Sequence, residues 1–147
     1  MPLFRLAYIS RSLVSGDASG ERHEIADILL TSRRNNEAAH VTGALLAMHN
    51  RFAQVQEGDR AAVEETYRRI CADTRHTDIV MVLMEPINAR QFPQWSMACI
   101  GPSQSAAAAA ERVTSDVPHF KTGDGARALT DFMSRMLAVE APTPAAN

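Results

Sequence analysis

Cysteine is scarce in this chain of 147 residues: only Cys71 and Cys99 occur, and neither belongs to a Cys-x-x-Cys pair or a Cys/His cluster. A disulfide framework and a structural zinc site are therefore not expected. Because free thiols are typical of a reducing compartment, we expect the protein in the cytoplasm.

Strong charge and long apolar runs are also missing. The formal net charge is −2 and the isoelectric point is near 6.2, so electrostatics give no reason to expect nucleic acid or an anionic membrane as a partner. No run approaches the roughly 18 apolar residues of a membrane span, and the N-terminal residues lack a signal-peptide pattern. The sequence also contains no GxGxxG, P-loop or GxSxG segment and no metal-binding spacing of histidines.

The apolar content of 46% is that of one ordinary globular domain. Alternation with period two predicts strands, and apolar residues spaced i, i+3, i+4 predict helices. The predicted strands are Leu3–Ser10, Val41–Met48, Phe52–Glu57, Thr77–Met84 and Trp95–Ile100, and the predicted helices are Glu21–Arg34 and Arg60–Asp73. This β-α-β-β-α-β-β order predicts an α+β, ferredoxin-like sandwich, with a mainly antiparallel sheet and both helices on one face.

A helical extension is predicted after this core. The segment Ala126–Glu140 carries an apolar stripe made of Leu129, Phe132, Met133, Met136 and Leu137. Such a stripe either covers the free face of the sheet or contacts a second subunit, so we expect a homo-oligomer. We divide the chain into a core at 1–101, a helical cap or interaction segment at 102–140 with a short helix at Ala106–Val113, and a disordered tail at 141–147.

Gln54 stands where the strand pattern requires a core residue. It shares one strand face with Phe52 and Gln56, because side chains alternate along a strand. A buried amide without a partner is unfavourable by about 1–3 kcal/mol, so Gln54 requires a hydrogen-bond partner. Tyr8 is a candidate, because the ferredoxin-like order makes the first and third strands neighbours. The plainer interpretations are a core tyrosine and a surface glutamine on an edge strand.

Polar side chains also gather near the ends of the two helices. Asn35 and Asn36 follow the predicted end of the first helix, beside Ser32 on its stripe. Their amides suit a flat heterocycle whose edge alternates carbonyl and N–H groups, although one Asn can simply cap the helix. Arg69 and Asp73 stand at i and i+4 on the second helix, which predicts a surface ion pair or, through Arg69, a cation for a ligand carbonyl.

Six motifs in this order resemble the BLUF domains, which are flavin-binding blue-light photoreceptors. They are Tyr8 in RLAYIS, Ser32-Arg-Arg-Asn35-Asn36, Thr42-Gly43, the segment Phe52–Gly58, Asp73-Thr-Arg75-His76, and Arg90-x-Phe92-x-x-Trp95-x-Met97. The resemblance implies that FAD lies between the helices, in contact with Ile28, Ser32, Asn35, Asn36, Gln54, Arg69, Asp73, Arg75 and His76. It also implies that Tyr8 gives an electron and a proton to the excited flavin, that Gln54 then changes its hydrogen bonds, and that Trp95 and Met97 relay the change.

Two residues qualify the resemblance. Gln56 stands where the family usually has an aliphatic residue, and its amide either competes for the partners of Gln54 or points to a solvated end of the sheet. His76, judged by its place at a helix–strand junction, is a structural histidine rather than an acid–base catalyst.

The resemblance implies a short, stand-alone photoreceptor that is not an enzyme and that signals to an unidentified downstream protein or a second subunit. One alternative is a flavin-free, ferredoxin-like interaction module. Another is a flavin-dependent enzyme, which we discount because no substrate acid–base group accompanies the proposed flavin edge.

Overall fold

The computed structural model describes residues 2–13, 18–47, 51–93, 96–100 and 123–140. The strands are β1 (Leu3–Ser12), β2 (Thr42–Ala47), β3 (Arg51–Asp59), β4 (His76–Ile87) and β5 (Ala98–Ile100), and the helices are α1 (Ala18–Ala39), α2 (Arg60–Cys71) and α3 (Gly123–Glu140). The predicted short helix at 106–113, the tail at 141–147 and Trp95 lie outside the described residues. None of the described helices is both long and apolar enough to cross a membrane.

One five-stranded sheet organises the molecule, with the strand order β4-β1-β3-β2-β5. Neighbouring strands are antiparallel, apart from the parallel pair of β2 and β5. The predicted α+β, ferredoxin-like fold is confirmed, and β1 and β3 are neighbours at the centre of the sheet.

The two faces of the sheet carry separate apolar layers. Because side chains alternate along each strand, Leu6 and Tyr8 on β1 lie under α1 and α2, whereas Ala7 and Ile9 face the opposite side. That opposite side packs against α3, which buries Leu129, Phe132, Met133 and Leu137 and partly buries Met136. The stripe therefore covers the sheet within one chain and is not an exposed surface.

The end of α1 differs from the prediction. The helix runs to Ala39 rather than Arg34, so Asn35 and Asn36 lie inside it instead of following it. His40, the next residue, has a left-handed φ of 56°. The two backbone N–H groups after the helix donate to carbonyls of its last turn at 3.3 and 2.9 Å, which is a Schellman motif. The interpretation of an asparagine as the helix cap is therefore wrong.

The ends of α2 and β4 differ from their predicted positions by two or three residues. α2 ends at Cys71 rather than Asp73, and its N-cap is Asp59, whose side chain accepts from the backbone N–H of Ala61. β4 extends to Ile87, so Pro86 lies inside a strand rather than opening a loop. An edge strand such as β4 tolerates proline, because one side of it has no ladder to complete.

Candidate functional site

Tyr8 and Gln54 form a buried pair in the middle of the sheet. They lie directly opposite each other on β1 and β3 and are 3% and 4% exposed. The Tyr8 hydroxyl donates a hydrogen bond to Gln54 Oε1. Because β3 lies between β1 and β2, the interpretation of Gln54 as a surface residue on an edge strand is wrong.

The nitrogen end of the Gln54 amide faces Met97. Gln54 Nε2 lies 3.4 Å from Met97 Sδ, and the Met97 side chain is fully buried. A thioether sulfur is a weak hydrogen-bond acceptor. The amide is thus held strongly at its oxygen and weakly at its nitrogen, so its nitrogen can change partners at a small energetic cost.

Burial keeps the phenol of Tyr8 protonated. Loss of solvation, with smaller contributions from Asp73, Tyr67 and Cys71, raises the pKa of Tyr8 well above that of a free tyrosine. Tyr67 on α2 has its ring centroid 5.9 Å from that of Tyr8, and burial together with a hydrogen bond to Cys71 raises the pKa of Tyr67 to about 12. At neutral pH the Tyr8 hydroxyl therefore keeps its proton and donates it in the hydrogen bond to Gln54.

α1 holds the segment that leads into β5. Asn36 Nδ2 donates to the Ser96 carbonyl at 2.7 Å, and Arg33 Nε donates to the Met97 carbonyl at 3.0 Å. Asn36 is 1% exposed, because it lies on the helix face that meets the sheet. Its Oδ1 bonds to none of the described residues, so this oxygen is available to a ligand.

The turn between α2 and β4 is closed by an ion pair. Arg75 Nε and Nη2 donate to the Asp73 carboxylate at 2.9 and 2.6 Å. The hydrogen bonds from this guanidinium hold the pKa of Asp73 below its usual range. Arg69 instead lies near Glu65, with 3.7 Å between Nε and Oε1. The predicted ion pair of Arg69 with Asp73 is therefore wrong.

His76 is bonded at both ring nitrogens. Nδ1 lies 2.8 Å from Ser10 Oγ, and Nε2 lies 2.8 Å from the Ile70 carbonyl. Because a carbonyl only accepts, Nε2 carries a proton and donates it to Ile70, while Nδ1 shares a hydrogen bond with the serine hydroxyl. The ring also packs edge-on against Tyr8 and Phe52, at centroid distances of 5.9 and 6.3 Å. This is the geometry of a structural histidine, which ties β1, α2 and β4 together.

A cleft runs between α1 and α2 as two adjoining cavities of about 40 and 100 Å³. Both are lined by Ile28, Ser32, Ile70, Asp73 and Arg75; the smaller also by Tyr8, Leu45, Phe52, Gln54 and His76, and the larger also by Thr31, Asn35, Asn36, Gln56, Thr66 and Arg69. The structure thus brings together all the residues that the resemblance assigned to FAD.

Some lining residues were missed by the sequence reasoning. The sequence places Phe52 on the strand face of Gln54 but does not predict that it lines a site, and Ile70 is not among the predicted site residues. Thr66 lies one helical turn before Ile70, and that spacing is the signal that could have identified it.

The lining fits a flavin ring in its chemistry. Ile28 and Ile70 offer apolar contact to a flat ring, whereas the buried amide atoms Asn36 Oδ1, Gln56 Oε1 and Gln56 Nε2 have no partner among the described residues and suit its carbonyl and N–H edge. A flat ring bound by these residues would lie in the cleft between α1 and α2.

Comparison with known proteins points to one family. Residues 3–98 match the sequence profile of the BLUF family, described as sensors of blue-light using FAD. The photoactivated adenylate cyclase subunit beta of Euglena longa is 35% identical over 96 residues, which are 65% of this chain and 11% of that protein. The blue light- and temperature-regulated antirepressor BluF of Escherichia coli (strain K12) is 36% identical over 74 residues, which are 50% of this chain and 18% of that protein.

A solved structure agrees over nearly the whole chain. The dark-state structure of BlrB, a BLUF protein, aligns with a TM-score of 0.74 and 31% identity, covering 95% of this chain and 97% of that one. The ferredoxin-like sheet with its cleft between two helices is thus a flavin-binding sensor domain. The chain belongs to the BLUF family of blue-light sensors. Since it spans only 11% of the cyclase subunit that it matches, the similarity concerns the sensor and not the rest of that protein.

Proposed function

We propose that this protein is a blue-light photoreceptor that binds FAD, switches through Tyr8 and Gln54, and signals by protein contacts rather than by catalysis. Membership of the family supports the light sensing. The observation that carries the switch is the buried chain of contacts from the Tyr8 hydroxyl through the Gln54 amide to the Met97 sulfur.

The light step depends on the state of Tyr8. Flavin bound in the cleft would supply the absorption of blue light and an excited state that can take up an electron. Tyr8 loses its electron and proton together, because its raised pKa keeps the phenol protonated and its hydroxyl already donates to Gln54. When both the electron and the proton return to Tyr8, the Gln54 amide is left in a second hydrogen-bonding state, by rotation or by tautomerisation. Such a switch works only if the two states differ by a few kcal/mol, as the weak contact to Met97 allows.

The change in hydrogen bonding is transmitted from the site through the segment around Met97. A changed Gln54 amide no longer offers the same N–H group to the Met97 sulfur, so the contact at 3.4 Å is altered. The backbone at Ser96 and Met97 is held by Arg33 and Asn36, and β5 begins at the next residue. The change therefore reaches β5 and the outer face of α1, where a downstream protein or a second copy of the chain can respond.

The ligand-binding roles divide between the two cavities. We assign Asn35, Asn36 and Arg69 to the polar edge of the ring and Ile28 with Ser32 to its α1 side. The Asp73–Arg75 ion pair and His76 keep the turn beside the ring in place. None of these residues forms an acid–base pair facing a substrate space, which supports a sensor rather than an enzyme.

Light-minus-dark absorption of the purified protein tests this proposal. We expect flavin bands that move to longer wavelength under blue light and return in the dark, whereas free FAD in the same buffer shows no such reversible shift. Mass spectrometry of the released cofactor identifies FAD or another flavin. A protein that stays colourless after FAD is supplied, or whose bound flavin does not shift, contradicts the proposal; the colourless result indicates a flavin-free interaction module.

A further inference from the structure

Gln56 is a second buried amide in the molecule, and its polar atoms are unsatisfied. It is 0% exposed, and neither its Oε1 nor its Nε2 bonds to another described residue. Buried carboxamides in folded proteins are almost always hydrogen-bonded, because leaving them unpaired is costly. An amide at such a position points to a group that is not part of the described protein.

The strand pairing directs Gln56 into the cleft. It shares the strand face of Gln54, and its cross-strand neighbours are Leu6 on β1 and Gly43 on β2. Leu6 has no polar side-chain atom and Gly43 has no side chain, so neither neighbour can satisfy the amide. The side chain lines the larger cavity, of about 100 Å³, and the interpretation that it reaches a solvated end of the sheet is wrong.

Asn36 presents an unpaired oxygen to the same cavity. Its Nδ2 is committed to the Ser96 carbonyl at 2.7 Å, which leaves Oδ1 without a partner among the described residues. Together with Gln56, the cavity therefore offers two acceptor oxygens and one donor NH₂ group within a buried space. A ligand edge with a carbonyl next to an N–H group complements this set, because one carboxamide can donate to the first and accept from the second.

We propose that Gln56 binds the imide edge of the flavin pyrimidine ring, with Nε2 donating to a ring carbonyl and Oε1 accepting from the ring N3–H. This inference rests on the proposed function, because it takes flavin as the ligand of the cleft. Gln54 then serves the light reaction beside Tyr8 in the smaller cavity, while Gln56 fixes the hydrogen-bonding edge of the ring in the larger one. Gln56 is thus a determinant of ligand affinity.

If Gln56 binds the ring, replacing it has opposite effects on the stability of the apoprotein and on the affinity for flavin. Without ligand, the unpaired amide lowers the stability of the fold, so an apolar replacement of similar shape stabilises the apoprotein. With ligand, the same replacement removes hydrogen bonds to the ring and weakens binding. A merely structural glutamine would not couple these two effects.

The experiment compares full-length wild-type protein with Gln56→Met, which keeps the length of the side chain without its amide. Riboflavin is the probe, because it carries the ring without phosphates or adenine, and quenching of its fluorescence reports the dissociation constant for each apoprotein. We expect about tenfold weaker binding, or about 1.4 kcal/mol for the two lost hydrogen bonds together, and a higher urea midpoint for the apo variant. Gln56→Leu should behave alike, and the infrared carbonyl bands of the bound ring should move to higher wavenumber.

Gln91→Leu is the matched control, because its amide bonds to Asp131 on α3 at 3.1 Å, away from the cleft, and wild-type riboflavin affinity is expected. Riboflavin affinity equal to wild type and unchanged carbonyl bands in both Gln56 variants would overturn the inference. The amide would then bond to a buried water. The proposed function would stand, because the wild-type protein would still bind flavin. Failure of the wild-type protein to bind either riboflavin or FAD would instead refute both.

Discussion

At the scale of single residues, the site depends on polar groups that are buried from solvent at the centre of the sheet. Tyr8 is 3% exposed and Gln54 4% exposed, yet each finds a partner in the other. Burial raises the pKa of Tyr8, so its hydroxyl stays protonated at neutral pH and donates to Gln54. The alternation of side chains and the order of the strands predicted that these two residues meet. The contact of Gln54 with Met97 could not be predicted, because it depends on how the segment before β5 lies against α1.

The ion pair of Asp73 with Arg75 predicts a defined dependence of stability on pH. Its guanidinium holds the pKa of Asp73 below the value of about 3.9 found in unfolded chains, so the pair contributes stability above that pH. That contribution is lost as the pH falls through the lowered pKa of the folded state. We expect the difference in unfolding free energy between wild type and Asp73→Asn to be constant above about pH 5 and to shrink below about pH 4.

Urea denaturation of both proteins at a series of pH values measures this difference. A gap that persists undiminished down to the lowest pH at which the protein folds would show that the Asp73 carboxylate contributes nothing through its charge.

At the scale of elements, β3 carries a buried acid that anchors the loop before β5. Glu57 is 0% exposed and accepts from Arg5 Nε at 2.9 Å. It also accepts from the backbone N–H groups of Gln91 and Phe92, at 2.9 and 2.8 Å. Arg90 of the same loop donates to the Glu57 carbonyl at 2.9 Å. β3 thus carries both the Gln54 amide and the carboxylate that holds the backbone of Gln91 and Phe92.

Glu57→Gln tests this anchor. The variant leaves the Arg5 guanidinium, 14% exposed, without its charged partner, and we expect the free energy of unfolding to fall by about 3 kcal/mol in urea denaturation. Glu64→Gln is the control, because its partner Arg60 is exposed and the loss should stay under about 1 kcal/mol. Equal losses in the two variants would mean that the loop is not anchored by Glu57.

The boundaries of the elements show what the sequence could not predict. The strands and both core helices follow from apolar periodicity, because burial on one face imposes that period. The end of α1 was placed too early, because its Schellman motif uses His40 in a left-handed conformation that is more usual for glycine or asparagine. The two asparagines, which lie inside α1, resemble the residues that end a helix. The predicted α2 runs to Asp73 rather than Cys71, and a helical Asp73 would pair with Arg69 instead of Arg75.

At the scale of the whole molecule, the sheet separates the face that carries the cleft from an apolar face that α3 covers. α1 and α2 enclose the cleft on one side, and α3 covers Ala7, Ile9, Val55 and their neighbours on the other. α3 follows the region matched by the family profile, residues 3–98, but the BlrB structure aligns with 95% of this chain and so includes most of this extension. The cap stabilises the sheet without touching the cleft.

Leu129→Ala tests the role of α3. The side chain is 1% exposed against the sheet, and its truncation should lower the free energy of unfolding by about 2–5 kcal/mol, measured by urea denaturation. Arg135→Ala, at an exposed position on the same helix, should change it by no more than about 0.5 kcal/mol. If Leu129→Ala has the stability of wild type, α3 does not cover the sheet in solution.

The central claim is that light acts through the hydrogen bond from Tyr8 to Gln54, and the two tyrosines of the chain allow a direct test. The measurement is the light-minus-dark absorption difference of flavin-loaded Tyr8→Phe beside Tyr67→Phe, whose ring lies 5.9 Å from Tyr8. The account predicts that Tyr8→Phe keeps its flavin but loses the shift to longer wavelength, whereas Tyr67→Phe keeps both. A normal, reversible shift in Tyr8→Phe would contradict it.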